Sequence, residues 1–290
     1  MLGGAVALGG IVALALATIG PAAATATGDV DRAVTVGQTS APVATSVSFT
    51  VDLLADVPAH DATHLVVRGQ MDFVHHTMTA VVTVPRSALR SRSSASNAAF
   101  LPADNTVNLH SEWVDGHAYM TVPSWWSGLA KGAKALSLPT SSSMHRTIDT
   151  ALAQSAVALT YANILLGQLA DHHAVKMERA RTIGGVRATG TKVDLALAQL
   201  VKLVPELSPT LTKDAATMGS KTIPTTVWVD HRGRLVEATM RSGEGDDASV
   251  IGTVQFSHYD APVTITRPTA STVKPLPTAL RQLLDGLYLF

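Results

Sequence analysis

Histidines are the side chains most suggestive of chemistry, since the 290 residues include 11 of them. Two pairs are adjacent, His75-His76 and His172-His173. Adjacent residues point to opposite sides of a strand and lie about 100° apart on a helix, so neither pair has the spacing of a zinc-binding helix. Glu244, Asp246 and Asp247 lie in a Gly-rich stretch that favours a solvated hairpin tip over a calcium site. The sequence therefore predicts no metal and no cofactor.

Known catalytic patterns are not matched by the chain. The nearest match to a phosphate-binding loop is Gly185 to Lys192, but it ends in Thr-Lys, and Thr191 begins a strand-like pattern instead of a helix. The G-x-S-x-G, S-x-x-K and H-E-x-x-H patterns of hydrolases do not occur with their partner motifs. With no cysteine, thiol nucleophiles, disulfides and zinc-thiolate sites are excluded. We predict that the protein is not an enzyme, with a hydrolase built from unplaced Ser, His and Asp as a distant alternative.

Charge excludes further classes of partner. There are 22 Lys and Arg against 22 Asp and Glu, and charged residues are 15% of the chain. A neutral chain carries no general electrostatic attraction for nucleic acid, so no nucleic-acid partner is predicted. Aromatic residues are only 4%. Small residues, chiefly Ala, Thr, Val and Ser, take their place.

The N-terminal segment predicts export. Ala5 to Ile19 form an apolar run, followed by Gly20-Pro21 and the A-x-A pattern Ala24-Thr25-Ala26 of a secretory signal peptide. No Lys or Arg precedes the run, which indicates an inefficient signal or a start further upstream. We expect residues 1–26 to be a signal peptide or N-terminal membrane anchor, and residues 27–45 to be a linker. The predicted location is the cell envelope, the periplasm or the exterior, including tethering by an uncleaved segment.

The elements that must position any site are mostly strands. Apolar and polar residues alternate in 46–53, 65–73 and 78–84, which is the pattern of half-buried strands. Asp115-Gly116 and Gly184-Gly185 favour tight hairpins. A turn at 230–233 joins two more strands, and its expected register pairs Val227 with Val236. Strands are also predicted at 250–259 and 263–266.

Helical spacing of apolar residues predicts a long helix over 146–170. Shorter helices are expected at 194–204, 209–217 and 276–289. Runs of strands interrupted by a helical block predict one α+β domain over 46–290, built on a large antiparallel sheet.

Two adjacent tryptophans, Trp125 and Trp126, follow a predicted strand and precede Ser127-Gly128. Rings at this place can form the lip of an apolar pocket, touch a membrane surface, or cover one end of the core. The sequence leaves these alternatives open.

Several motifs, in order, resemble a known family. Ile223 to Leu235 (IPTTVWVDHRGRL) and Val254 to Pro268 (VQFSHYDAPVTITRP) resemble the C-terminal signature of the LppX/LprG family of actinobacterial, mycobacterial-type lipoproteins. Val114 to Tyr119 is similar to the family's D-G-x-x-Y hairpin. Gly190 to Leu195 is similar to its strand that leads into helices.

The resemblance implies a strongly curved antiparallel sheet, a half-open barrel with helices packed in its concave face, as in LolA-like carriers. It also implies acyl chains of lipids or glycolipids held between sheet and helices for transport or presentation. The family is usually anchored through a lipidated cysteine at the signal cleavage site. This chain has no cysteine, so that anchor is excluded here.

The leading hypothesis is a non-enzymatic envelope protein, expected to be a monomer, that binds a lipid, a glycolipid or another apolar ligand. Cavity-lining positions chosen by strand parity are Phe49, Val51, Met71, Phe73, Met78, Val82, Val227, Val236 and Met240. The alternative is a structural or interaction module of the envelope with a filled core, no ligand and a surface for an envelope partner such as a membrane transporter.

Overall fold

The fold of the described residues is a single twelve-stranded sheet. The computed structural model describes residues 43–56, 63–87, 104–126, 130, 132–138, 159, 176–196, 222–242 and 249–278. The first six strands are β1 (Ser46–Asp56), β2 (Thr63–Asp72), β3 (Thr77–Pro85), β4 (Thr106–Val114), β5 (His117–Thr121) and β6 (Ala135–Ser137). The others are β7 (Lys176–Ile183), β8 (Val186–Ala196), β9 (Thr222–Val229), β10 (Leu235–Ser242), β11 (Ser249–Ser257) and β12 (Val273–Pro275). Short 3-10 turns occupy Ser124–Trp126 and Ala270–Thr272.

The strand order is β12-β6-β5-β4-β3-β2-β1-β11-β10-β9-β8-β7. Every neighbouring pair is antiparallel except β12 and β6, which are parallel. The two ends of the described chain therefore meet different parts of the sheet. The first strand lies in its middle, between β2 and β11, and the last lies at its edge.

Most strands lie where the sequence predicts them. The alternating segments become β1, β2 and β3. Asp115 and Gly116 have φ of 49° and 70°, and Gly184 and Gly185 have φ of 54° and 83°. Two successive positive φ values are the geometry of a tight hairpin whose twist matches that of its strands. The hairpin predictions are confirmed.

The predicted α+β class is wrong. The described part of the chain is nearly all strand, has no helix of seven or more residues, and forms one large, mostly antiparallel open sheet with no helices packed in a concave face. The prediction depended on the segments with helical spacing, and the described residues are instead those with two-residue alternation.

The predicted helices 146–170, 209–217 and 276–289 lie almost entirely outside the described residues. In the first of them Leu159 alone is described; it is helical and buried. The signal-peptide prediction for residues 1–26, His172-His173 and the acidic stretch 244–247 also lie outside. The helix predicted to start at Asp194 is wrong at its start, since β8 continues to Ala196 and Val193 pairs with Thr225 of β9.

Two predictions in the last third are corrected by hydrogen bonding. Residues 263–266 form no strand, because no described strand pairs with them. The register of β9 and β10 also differs, since Val227 pairs with Ala238 and not with Val236. A bulge between Leu235 and Glu237 inserts one residue, and a one-residue slip moves a side chain to the opposite side of the sheet.

The sheet has one apolar face. We define the apolar face as the side that carries Phe49, Val51 and Leu53 of β1, and the polar face as the other. Across β2, β3 and β4 the same side carries Val67, Ala80 and Leu109. These residues belong to one buried cluster that also contains Met120 and Leu136 on β5 and β6, and Val193, Val227, Ala238 and Val254 on β8 to β11. The core is thus continuous across ten strands, from β6 to β8.

Hydrogen bonds and a cation–π contact around Asp230, Arg234 and Asp260 hold the chain next to the central strands. Asp230 is 6% exposed and accepts hydrogen bonds from the backbone N–H groups of Arg232 and Arg234 and from Arg234 Nε, at 2.8 to 2.9 Å. The Arg234 guanidinium lies 4.5 Å from the centre of the Tyr259 ring. Asp260 accepts from the backbone N–H of Thr45 at 2.9 Å. The turn before β10 is therefore joined to the start of β1.

Candidate functional site

The predicted cavity-lining residues can now be placed. Phe49, Val51, Met71, Phe73, Val227 and Met240 are buried in the core cluster, at 1 to 6% exposure, and Met78 and Val82 are half-buried and packed against it. The structure therefore brings eight of the nine predicted positions together in one cluster. Strand parity finds them because β1, β2 and β3 pair without a bulge, so that alternation is kept from strand to strand.

Val236 is the exception. It is buried at 3% exposure, but with Ile183, Ala188 and Trp228 in a separate cluster on the polar face. The bulge beside Leu235 is the cause, since it places Val236 and Glu237 together opposite Trp228. Val236 is therefore removed from the candidate site.

Three of the half-buried apolar side chains that pack against the core cluster lie on the neighbouring strands β2 and β3. Leu65, Met78 and Val82 are half-buried hydrophobic residues that pack against the core cluster. Val67, which pairs with Val82, is buried at 8% exposure. This part of the apolar face is therefore both continuous with the core and accessible from outside it. We call Leu65, Met78 and Val82 the open stripe.

The tryptophan pair lies beside this face. Trp126 is 3% exposed and belongs to the core cluster, while Trp125 is half-buried and packs against it. Their ring centres are 5.4 Å apart. Trp126 Nε1 is buried and has no hydrogen-bond partner. The pair thus covers part of the core and carries one unsatisfied donor.

An aromatic ring lies across a glycine at the middle of the apolar face. Gly69 of β2 pairs directly with Phe49 of β1. A Cβ atom at Gly69 would lie 2.5 Å from Phe49 Cζ and still closer to the Thr79 carbonyl oxygen. Only glycine leaves room for the ring. We call Gly69 and Phe49 the inner glycine pair.

The polar face repeats this arrangement with charged neighbours, which the sequence did not predict. Trp228 of β9 pairs with Gly190 of β8, and a Cβ atom at Gly190 would lie 2.7 Å from the indole. The Arg181 guanidinium lies 4.1 Å from the centre of the Trp228 ring and forms an ion pair with Glu237, which is 5% exposed. Gln255 donates to Glu237 at 2.8 Å. We call Gly190 and Trp228 the outer glycine pair; the glycine within a strand pattern was its one sequence signal.

The titratable groups of the described residues form hydrogen bonds that stabilise turns and strand pairs. Asp72 accepts hydrogen bonds from the backbone of Val74 and His75 at 2.9 Å and from His75 Nδ1 at 2.7 Å. Burial acts to raise the pKa of Asp72, but the hydrogen bonds and charge of His75 outweigh it and hold the pKa below the usual 3.8. Burial raises the pKa of Tyr259, whose hydroxyl donates to the Leu235 carbonyl. Within the described ranges no three His, Asp or Glu residues converge as metal ligands.

The chain is similar to known proteins at the level of three-dimensional structure. No protein-family model matches it, and no curated protein matches it. Solved structures do. LprF from Mycobacterium bovis is 13% identical, with 78% of this chain and 90% of that chain covered, at a TM-score of 0.42. The lipoprotein LppX from Mycobacterium tuberculosis is 13% identical, with 77% and 90% covered, at 0.39.

A LolA superfamily protein from Nitrosomonas europaea is 9% identical, with 78% of this chain and 89% of that chain covered, at a TM-score of 0.24. The structural neighbours thus include the mycobacterial lipoproteins LprF and LppX and a LolA superfamily protein. In the part of the chain that the structure describes, no helix has the length and apolarity needed to span a membrane.

Proposed function

We propose that this protein is a non-enzymatic, exported envelope protein that binds the acyl chain of a lipid or glycolipid on the apolar face of its sheet, for transport or presentation. The observation that carries the proposal is the open stripe. Three hydrophobic side chains on two neighbouring strands are accessible and at the same time continuous with the core. Accessible apolar side chains that are continuous with the buried hydrophobic core are typical of a site for an apolar ligand.

The energy of binding comes from burial. An acyl chain gains about 0.8 kcal/mol for each CH₂ group that it removes from water. Leu65, Met78 and Val82 present aliphatic atoms and a flexible thioether, which adapt to a chain without a fixed shape. No charged contact is needed for this part of the affinity.

The experiment has two parts. Lipid extraction of the purified protein followed by mass spectrometry is expected to recover acyl lipids, and a fluorescent hydrocarbon probe, diphenylhexatriene, is expected to bind to delipidated protein. Val82→Glu places a carboxylate in the open stripe and is expected to abolish probe binding, because a charge resists transfer out of water. Val82→Thr, nearly the same shape, is expected to weaken binding several-fold.

Val81→Glu is the matched control. Val81 is half-buried like Val82 and adjacent to it, but points to the polar face. It is expected to leave probe binding unchanged while both variants keep the circular dichroism spectrum of the parent. A protein that yields no lipid and binds no probe, or that loses binding equally in Val81→Glu and Val82→Glu, would contradict the proposal and favour an interaction module with a filled core.

A further inference from the structure

The hairpin of β7 and β8 forms one edge of the sheet and concentrates positive charge. β7 is the last strand in the order, and among the described strands it has a neighbour, β8, on one side only. Residues 176–192 contain five of the 22 Lys and Arg of the chain, but one of its 22 Asp and Glu. We call the five cations the basic edge: Lys176, Arg179, Arg181, Arg187 and Lys192. A chain that is neutral as a whole thus has a strongly positive edge.

Carboxylates neutralise two of the five cations. Lys192 Nζ lies 2.9 Å from Glu178 Oε1, and Arg181 forms an ion pair with Glu237. The hydrogen bond from Lys192 is the main cause that holds the pKa of Glu178 below its usual 4.5. Both carboxylates are therefore already engaged within the hairpin and its neighbours.

The other three cations, Lys176, Arg179 and Arg187, are exposed and form no ion pair with any carboxylate that the structure describes. The rest of β8 adds one acid, Asp194, and β9 carries no charged residue. Lys176 lies directly opposite Lys192. Like charges in this position destabilise a strand pair, so the stability of the sheet does not account for these lysines.

Cations project from both sides of this edge. Along β8, Ala188 belongs to the cluster on the polar face and Val193 to the core cluster on the apolar face. Because side chains alternate along a strand, Lys192 lies on the polar side and Arg187 on the apolar side. A bulge in β7 inserts one residue in the segment that contains Arg179. Charge on both sides suits a partner surface that meets the sheet edge-on.

Protection of a free strand edge accounts for only part of this pattern. Charged side chains on an edge strand keep it from pairing with another sheet, and a second copy of β7 would place like charges opposite each other. That role needs charge on β7, whose outer edge is free. Arg187 and Lys192 lie on β8, which is paired on both sides. An excess of one sign on both strands therefore indicates an anionic partner.

The neighbourhood of the cations favours a lipid surface as that partner. Met177 lies in the same strand and is 64% exposed, the largest exposed fraction among the large hydrophobic residues that the structure describes. Residues 176–192 include no aromatic residue on which nucleic-acid bases could stack. Cations around an exposed apolar side chain match a membrane, where anionic head groups cover hydrocarbon.

We propose that the basic edge docks the protein onto a membrane surface that contains anionic lipids. This goes beyond the proposed function and does not depend on it, since the open stripe lies on β2 and β3. The guanidinium and ammonium groups contact head-group phosphates, for which they are matching donors, and Met177 enters the interface between them. The attraction is electrostatic, and salt therefore weakens it.

The test is flotation of the full-length protein with vesicles, because aggregated protein does not float. One vesicle contains equal parts of phosphatidylglycerol and phosphatidylcholine, and the other contains phosphatidylcholine alone. At low salt the parent is expected to bind the anionic vesicles at least about tenfold more tightly than the neutral ones. This preference is expected to disappear at about 0.5 M NaCl, where the Debye length falls to about 4 Å.

The double variant Lys176→Gln with Arg179→Gln is expected to weaken binding to anionic vesicles about 10- to 30-fold, from about fivefold for each cation at an anionic surface. Adding Arg187→Gln is expected to weaken it about fivefold further. The matched control is Arg68→Gln with Lys134→Gln, which removes one exposed Arg and one exposed Lys outside the hairpin. It is expected to change binding less than about twofold.

Three results overturn the inference. In the first, the parent shows no preference for anionic vesicles. In the second, the control weakens binding as much as the hairpin variant, which assigns the effect to net charge. In the third, the parent binds duplex DNA through these cations and does not bind vesicles. Diphenylhexatriene binding is expected to be the same in the hairpin variant and the parent. Failure of the parent to bind that probe contradicts the proposed function and leaves the docking inference standing.

Discussion

The inner and outer glycine pairs use one device on opposite faces of the sheet. In both, an aromatic residue lies across a glycine directly opposite it on the next strand. Phe49 is covered by the core and needs no polar partner. Trp228 is 7% exposed and is covered by Arg181, which must itself be paired with Glu237. The ring on the polar face is thus covered from solvent by a paired guanidinium, whereas the ring on the apolar face is covered by apolar side chains of the core.

The two glycines also differ in what a side chain would meet. At Gly69 the nearest atom is a backbone oxygen, that of Thr79 on the neighbouring strand, whereas at Gly190 the nearest atoms belong to the side chains of Trp228 and Glu178. A backbone atom inside a sheet cannot move without breaking strand pairing, but a side chain can rotate. The inner pair should therefore tolerate change less than the outer pair.

Gly69→Ala is expected to have the largest effect, a loss of about 3 kcal/mol or more in the free energy of unfolding, measured by urea denaturation. Adding Phe49→Leu to this variant should restore only part of the loss, because the Thr79 carbonyl remains in the way. Full recovery in the double variant would mean that the ring, and not the backbone, limits the site.

Arg181→Met is expected to cost about 2 kcal/mol in urea denaturation, because it keeps an apolar cover for Trp228 but leaves the buried Glu237 without its cation. The double variant Arg181→Met with Glu237→Leu should recover most of the loss, since a charge pair can be replaced by apolar groups of similar size. If Arg181→Met alone is as stable as the parent, charge is not what shields the ring.

Gly190→Ala is expected to cost about 1 kcal/mol in urea denaturation. The methyl group displaces the Trp228 ring, but alanine offsets part of this cost through its lower backbone entropy in the unfolded chain. In contrast to the inner pair, Trp228→Leu in the same chain should relieve much of the remaining clash. A loss as large as that of Gly69→Ala would contradict the difference between the pairs.

The smallest effect at neutral pH is expected at Asp72, in the turn that joins β2, the strand of Gly69, to β3. Its pKa is held below 3.8 in the folded protein, so its stabilising contribution is fully present above about pH 4 and is lost as pH falls through the folded value. Asp72→Asn should therefore reduce the amount by which the free energy of unfolding falls between pH 6 and pH 3. Asp52→Asn, at the exposed pair with His64, is the control and should leave most of that fall in place.

The strands and turns could be predicted where their sequence pattern lies within a few neighbouring residues. Alternation identifies β1, β2 and β3, and the dipeptides Asp115-Gly116 and Gly184-Gly185 identify the hairpins that join β4 to β5 and β7 to β8. β6 and β12 were not predictable, because each has three residues and they pair across more than 130 positions of the sequence. A pairing of that length leaves no periodic signal near either strand.

Strand parity places most of the predicted lining residues on one side of the sheet, and that they line a cavity stays a prediction. Eight of the nine predicted residues lie in one cluster because parity is kept wherever strands pair regularly. Val236 was assigned to the wrong face because of the bulge beside Leu235. A bulge depends on how two strands pair, and no residue type in this segment predicts it. The unsatisfied donor of Trp126 was equally invisible, since whether a donor has an acceptor is a property of the folded chain.

The central position of β1 has a consequence for the order of folding. β1 pairs on one side with β2, next along the chain, and on the other with β11, where Ser48 meets Ser257 across more than 200 residues. Pairs close in sequence can form early, but a loop of that length costs entropy before any contact repays it. The strands from β1 to β5 and those from β7 to β11 can each assemble locally, and joining them through β1 and β11 is then the late step that completes the core.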